Sequence, residues 1–341
     1  MRLNRRFVIT ALITVLIAAF LGGYRLPFYI YKPGGADELD PVVEVENGYA
    51  SDGQMHLVTV RGGQATPIQY LLAKIRPFHE VYPLEDIRPK GISESEYYNA
   101  QLHMMESSQE AAVVVAYESA GKKIDIQYEG VYVMNILKGM PAEEVLKPGD
   151  RIIKVDEMEI HKSDKLVEYV EGMGADDSIT LTIQRDGEKI TKQVELAPFP
   201  KQKDKVGIGI TLVTDRSIEV APDVKFKSGE IGGPSAGLMF SLEIYDQLTE
   251  NDITKGYQIA GTGEISYEGE VGRIGGIDKK VVAADDDGCD IFFAPNEGGK
   301  KGSNYEVAKK TAEKIGTDMK VVPVDTFQDA LDYLKELEPK E

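Results

Sequence analysis

Residues 230–241 read Glu-Ile-Gly-Gly-Pro-Ser-Ala-Gly-Leu-Met-Phe-Ser. Gly232 and Gly233 permit a tight backbone that other groups can approach closely, and Pro234 presets the angle of a helix start. Ser235 is therefore expected in the first helical turn. Beyond it, Leu238, Leu242, Tyr245 and Leu248 recur at helical spacing, so one side of that helix should be buried. A serine placed there lies beside unpaired backbone N–H groups at the positive end of a helix. Those groups are suited to holding the oxyanion of an acyl-transfer intermediate. Taken alone, the motif fits equally a serine that caps or packs a helix.

A nucleophilic serine needs a base. His56, His79, His103 and His161 all precede residue 162, so no histidine lies in the segment that holds Ser235. A lysine serves instead when burial keeps its amine neutral enough to accept the hydroxyl proton. Residues 275–284 read Gly-Gly-Ile-Asp-Lys-Lys-Val-Val-Ala-Ala, in which Ile277, Val281 and Ala284 form an apolar stripe. At about 100° per residue, Lys280 falls within roughly 60° of Ile277 and Ala284, whereas Lys279 projects nearly opposite Val281. Lys280 is the inward-leaning lysine on this arithmetic, and a snorkelling surface lysine is the alternative.

Gly-Pro-Ser-Ala-Gly at 233–237, Thr-Gly-Glu-Ile at 262–265, Gly-Glu-Val at 269–271 and Ile-Gly-Gly-Ile at 274–277 follow one another in an informative order. Together they resemble the proteolytic domain of the Lon family, from about residue 204 to 332. The resemblance implies a serine endopeptidase with a Ser-Lys dyad, Ser235 the nucleophile and Lys280 the base. It further implies that Thr262 supports the lysine amine. Gly233, in the nucleophile loop, and Glu230 and Glu264, as electrostatic neighbours, are weaker candidates. Gly232 departs from the family, which commonly has an acidic residue there, and residues 250–257 look like a small insertion. No Gly-x-x-x-x-Gly-Lys-Ser/Thr phosphate loop occurs, so cleavage is expected without ATP, nucleotide or other cofactor. Lon-type domains often form rings, so a homo-oligomer is among the implied partners.

The N-terminal region reads differently. Arg2, Arg5 and Arg6 precede an uncharged run from Phe7 to Gly23, at the short end of what spans a bilayer. The charge bias predicts a single-pass anchor with a cytoplasmic N-terminus and an extracytoplasmic body. A cleaved signal peptide is the alternative, given Ala18, Ala19, Gly22 and Gly23. Residues 1–31 are thus read as tail and anchor, with Tyr24, Phe28, Tyr29 and Tyr31 as interfacial aromatics. Residues 32–128 are read as a linker, over Lys32 to Asp40, and an α/β extension without chemistry of its own.

Within residues 129–200, a glycine-led strand, Gly130 to Met134, precedes a Pro-Gly-Asp turn at 148–150 and a helix from Ser163 to Val170. These resemble a PDZ domain. That resemblance implies binding of an extended peptide as an added strand, expected beside Gly130, Val131, Tyr132 and Val133. Glu157 departs from it, standing where the family usually has a glycine at a positive backbone angle.

Composition bounds the remaining classes. A formal charge of -18 disfavours nucleic acid and broad contact with an anionic membrane surface. The single cysteine, Cys289, rules out an intramolecular disulfide, and no metal motif is present; Asp285 to Asp287 reads as a solvated helix end. The expected fold class is α+β, multidomain: an N-terminal transmembrane helix, a PDZ-like β-barrel domain, and a Lon-type α/β proteolytic domain at residues 201–341. The expected partners are peptide or unfolded-protein substrates and the membrane, in the manner of the Lon-like, PDZ-containing membrane proteases of Gram-positive bacteria. An inactive PDZ scaffold and a self-processing factor are the rival readings.

Overall fold

The computed structural model describes residues 5–88, 93–185, 187–200, 202–229 and 231–340. Its helices are α1 (Arg5–Gly23), α2 (Pro67–Ile75), α3 (Leu84–Ile87), α4 (Glu94–Ser119), α5 (Ser163–Glu171), α6 (Gly237–Leu248), α7 (Ile277–Asp286), α8 (Asn304–Ile315) and α9 (Phe327–Glu336). The chain divides into two compact units, one made of residues 1–123 and 220–341, the other of residues 124–219. The first unit is therefore discontinuous in sequence.

A six-stranded sheet organises that first unit, in the order Lys320–Val324, Ile291–Pro295, Gln258–Gly261, Gln54–Gln64, Phe28–Glu38, Glu80–Pro83. The first four run parallel, and the last two are antiparallel to their neighbours. Ile291–Pro295 is buried at every position, as a strand covered on both faces must be. Val58, Ala260 and Phe292 join Ile277, Val281 and Ala312 in one core beneath α7 and α8. Gly261, one residue on from Ala260, points to the other face, where a Cβ would lie 2.6 Å from Met239 Sδ on α6. α6 in turn packs on α4.

Half of that sheet comes from residues expected to form the interfacial end of the anchor (Phe28, Tyr29 and Tyr31), a linker and a separate extension. Phe28–Glu38 is a strand, bulged between Pro33 and Ala36, and Gly34 there sits so close to Thr59 that a Cβ would lie 2.4 Å from its Oγ1. Pro33, Gly34 and Gly35 thus mark a bulge rather than a linker. The β-branched run Val113 to Val115 continues α4, because all three side chains are buried and packing outweighs their weak helix propensity.

The second unit is a sheet ordered Ile210–Ala221, Lys123–Ile136, Arg151–Val155, Ser178–Arg185, Glu188–Glu195, closed over α5. Val131, Ile152, Leu166 and Leu181 lie in its core. The positive backbone angle expected at Glu157 falls on Asp156 instead, at φ 47°. Aspartate tolerates that region, and the Asp156 carboxylate is held by Thr180 N–H and the Tyr169 hydroxyl, both at 2.8 Å. α1 stands apart in character: its side chains are exposed or nearly so, and by length and composition it is apolar enough to cross a membrane.

α6 carries two buried carboxyl groups in the first unit. Burial pushes Glu243 well above the carboxylate range, with Asp40 adding to the rise against a hydrogen bond from Gln247. Burial likewise raises Asp246 to about 6, despite hydrogen bonds from Ser51 and from Ile253 N–H, with Asp252 and Asp40 nearby. A carboxyl whose folded pKa is raised favours the fold when protonated. Its contribution is complete below about pH 4 and is lost as pH rises through about 6. Asp246→Asn removes this dependence, with the amide oxygen accepting from Ile253 N–H and the amide nitrogen donating to the Ser51 hydroxyl. The variant should gain on the parent by on the order of 2 kcal/mol between pH 4.5 and 7.5, read by urea unfolding at each pH.

Candidate active site

Ser235, Thr262 and Lys280 converge from three elements of the first unit. Ser235 lies in the turn before α6, Thr262 follows strand Gln258–Gly261, and Lys280 is on the first turns of α7. α6 begins at Gly237 with Ala236 as its cap, so Ser235 stands just outside the helix instead of in its first turn. The N–H groups of Ser235 and Ala236 have no acceptor among the described residues, and Pro234 has no N–H to offer. Two donors are therefore free at the positive end of a twelve-residue helix.

Lys280 Nζ is 2.8 Å from Ser235 Oγ and 2.8 Å from Thr262 Oγ1. The Thr262 hydroxyl donates its own proton to the Ser235 carbonyl oxygen at 2.9 Å, so toward Lys280 it can only accept. One amine hydrogen is thereby directed to Thr262, leaving the amine lone pair free to point at the Ser235 hydroxyl. The Ser235 carbonyl also accepts from Gly263 N–H at 3.0 Å, which fixes the turn to the strand end. Burial lowers the Lys280 amine to about 7, and among the described residues no carboxylate lies within ion-pairing distance of it. At neutral pH a large share of the amine is uncharged.

Lys279 departs from its expected outward position. It is 1% exposed and paired with Glu80 at 2.7 Å and Asp278 at 3.1 Å. Strand Glu80–Pro83, part of the N-terminal segment, reaches the far side of α7, which rotation about one helix does not reveal. Burial would push Glu80 up, but hydrogen bonds from Lys279 and Tyr82 hold it below the usual carboxylate range.

α4 supplies the other wall, and none of its residues was singled out from sequence. Gly233 N–H donates to the Gln101 carbonyl at 2.8 Å, and Ser108 Oγ donates to the Pro234 carbonyl at 2.9 Å. Gly233 holds φ at 95°, the left-handed region that glycine adopts freely. A Cβ on Gly232 would lie 2.8 Å from Gln101 Cβ, so the acidic residue usual in the Lon family has no room here. Val58, Arg61, Gln101, Met105 and Glu264 complete a cleft of about 490 Å³ around Ser235 and Lys280. Glu264 is exposed at its rim, and burial of its carboxyl raises its pKa. Glu230 lies outside the described residues.

The sequence model described as "Lon protease (S16) C-terminal proteolytic domain" matches residues 202–336, and that described as "PDZ domain" matches residues 101–196. This chain carries a PDZ domain and a Lon-type serine peptidase domain. Its similarity to Lon protease of Mesomycoplasma hyopneumoniae is 31% identity over 102 residues, 30% of this chain and 11% of that protein. Against Lon protease of Campylobacter concisus it is 35% over 99 residues, 29% of this chain and 11% of that protein. The chain thus spans about a tenth of the length of these relatives. Among solved structures, the PDZ domain of an SdrC-like protein from Listeria monocytogenes is 30% identical, covering 26% of this chain and 93% of that one, with a TM-score of 0.24.

In the PDZ unit the expected peptide site does not hold. Val131 and Val133 are fully buried, and their strand, Lys123–Ile136, has hydrogen-bonded neighbours on both sides. No edge is open beside Gly130, Val131, Tyr132 and Val133 for an added strand. The apolar groove of this unit, about 510 Å³, lies instead between α5 and residues 204–212, lined by Leu166, Val170, Ile208, Ile210 and Leu212. Strand Ile210–Ala221 is the edge of its sheet.

The fit of the Lon-type nucleophile loop against α4 has a direct steric test. Gly232→Asp should lower the melting temperature of the first unit by several degrees, because Gln101 cannot withdraw along a helix backbone. Its cost should shrink in a Gln101→Gly background, which a double-mutant cycle by thermal unfolding will read as coupling.

Proposed function

We propose that this chain is a membrane-anchored endopeptidase that cleaves flexible, exported or membrane-associated polypeptides without ATP, using Ser235 as nucleophile and Lys280 as base. The observation that carries this reading is the buried Lys280 amine, 2.8 Å from the Ser235 hydroxyl and without a carboxylate partner among the described residues. A charged ammonium ion would find no counter-ion there among the described residues, whereas a neutral amine has a proton to accept. Ser235 Oγ attacks the scissile carbonyl as Lys280 takes its proton. The oxyanion is held by the N–H groups of Ser235 and Ala236. Lys280 then returns the proton to the leaving amine, and water, activated the same way, releases the acid from the Ser235 ester.

α1 is read as the anchor, with the catalytic unit outside the cytoplasm. The PDZ unit is read as a docking site for a peptide with an apolar C-terminus, laid along strand Ile210–Ala221 in the groove against α5. Its sheet edge and apolar lining support that assignment over the buried strand first expected.

The parent should cut casein without ATP, with fragments identified by mass spectrometry, and Ser235→Ala and Lys280→Ala should each abolish cutting. Cutting that survives both substitutions sinks the dyad. Because the base must be uncharged, kcat/KM should rise with pH through a midpoint near the Lys280 value of about 7 and level off above it. Thr262→Val should lower kcat by about tenfold through loss of one orienting hydrogen bond, while Thr262→Ser stays near the parent.

A further inference from the structure

α2 presents an apolar face to the outside. Tyr70 and Ala73 turn inward onto Ile30 and Ala65. On the opposite side Ile68, Leu71, Leu72 and Ile75 are 46%, 62%, 37% and 78% exposed. Their spacing, one helical turn apart, makes a continuous stripe. The helix is well formed in spite of this exposure, with Pro67 at its start and a reciprocal capping box between Thr66 and Gln69.

The position of that stripe is set by α1. Only Tyr24 and Arg25 separate Gly23, the last residue of α1, from Leu26, whose N–H donates to the Ala65 carbonyl at 2.8 Å. Arg25 donates to the Gln64 carbonyl at 2.9 Å, and Gln64 Nε2 returns a bond to the Leu26 carbonyl at 2.9 Å. α2 therefore starts where α1 ends, and the two helices touch. Charge follows the same geography. Residues 1–36 and 53–79 contain no Asp or Glu, in a chain of net charge -18, and they hold Arg25, Arg61, Lys74 and Arg76.

We propose that α2 is an interfacial helix, its Ile68, Leu71, Leu72 and Ile75 face seated in the outer leaflet of the bilayer that α1 crosses; this rests on the reading of α1 as a retained anchor. An exposed apolar stripe, flanked by cations and continuous with a membrane-length helix, matches the chemistry of a lipid interface with anionic headgroups. The acidic surplus of the chain lies elsewhere, so net charge does not oppose the contact. Strand Gln54–Gln64 links this face to the cleft, which it lines with Val58 and Arg61. From Arg61 to Pro67 is at most on the order of 20 Å of extended chain. The Ser235 cleft is then held close to the bilayer surface, and its substrates are the extracytoplasmic juxtamembrane segments of membrane-bound polypeptides.

The test uses the full chain with Cys289→Ala, reconstituted in vesicles of mixed phosphatidylcholine and phosphatidylglycerol. Single cysteines carrying the environment-sensitive fluorophore NBD are placed by Leu71→Cys, Ile75→Cys, Leu16→Cys on α1 and Glu313→Cys on the exposed side of α8. Probes at 71 and 75 should emit to the blue of the probe at 313 and be quenched by shallow doxyl lipids, while the probe at 16 is quenched by deep ones. Probes at 71 and 75 that read water while the probe at 16 reads lipid overturn the interfacial helix and leave the anchor standing. A water reading at 16 as well removes the anchor and the proposal together. A blue shift at 71 and 75 without lipid quenching overturns the proposal in favour of a protein partner or second copy on that face.

Discussion

The burial of one lysine amine is the constraint on which the rest of this structure depends. Lys280 is buried by the same core that joins α7 to the sheet, and desolvation alone lowers its pKa to about 7. Its neighbour Lys279 is equally buried but paired with Glu80. Two adjacent lysines on one helix thus occupy opposite electrostatic settings. Lys279 lies beside anions, and Lys280, among the described residues, lies beside the hydroxyls of Ser235 and Thr262. The difference comes from what packs on each side of α7, since the side chains are chemically the same.

Hydroxyl geometry then gives the amine a direction. Thr262 donates to the Ser235 carbonyl and so must accept from Lys280. The serine turn is held from the opposite side by α4, through the Gln101 carbonyl and Ser108. A Gly-Pro-Ser loop whose Ser235 and Ala236 N–H groups have no acceptor among the described residues is thereby kept in one conformation before any substrate arrives, the kind of preorganisation that electrostatic stabilisation of an oxyanion requires. The residues that impose it lie more than a hundred positions upstream, on the far side of the inserted PDZ unit in sequence.

That insertion explains why residues 32–128 read as a plain extension. Of their strands, Gln54–Gln64 pairs with Gln258–Gly261 only after a chain detour of more than 190 residues, and no local pattern reports so distant a pairing. Pro33, Gly34 and Gly35 carry the composition of a linker, but in a sheet they form a bulge against Thr59. The same blindness misplaced the PDZ groove. A glycine-led apolar strand reads as a ligand edge until the sheet order shows both of its sides occupied.

The two domain types and a candidate dyad were legible in the sequence alone. Glycines, Pro234, Ser235 and Lys280 sit within short motifs whose backbone demands and spacing are local, and local demands survive in one dimension. The PDZ turn and the apolar length of α1 were readable for the same reason, whereas α6 is buried on every side and Lys279 on α7 is buried as well, against the one-sided burial expected of both helices. Tertiary structure alone decided which lysine stands without a counter-ion, which helix braces the nucleophile, where Ser235 sits relative to the helix start, and which strand edge stays open. Each of these depends on contacts between segments far apart along the chain. Burial, and with it the pKa of Lys280, belongs to the assembled core and to no residue in it.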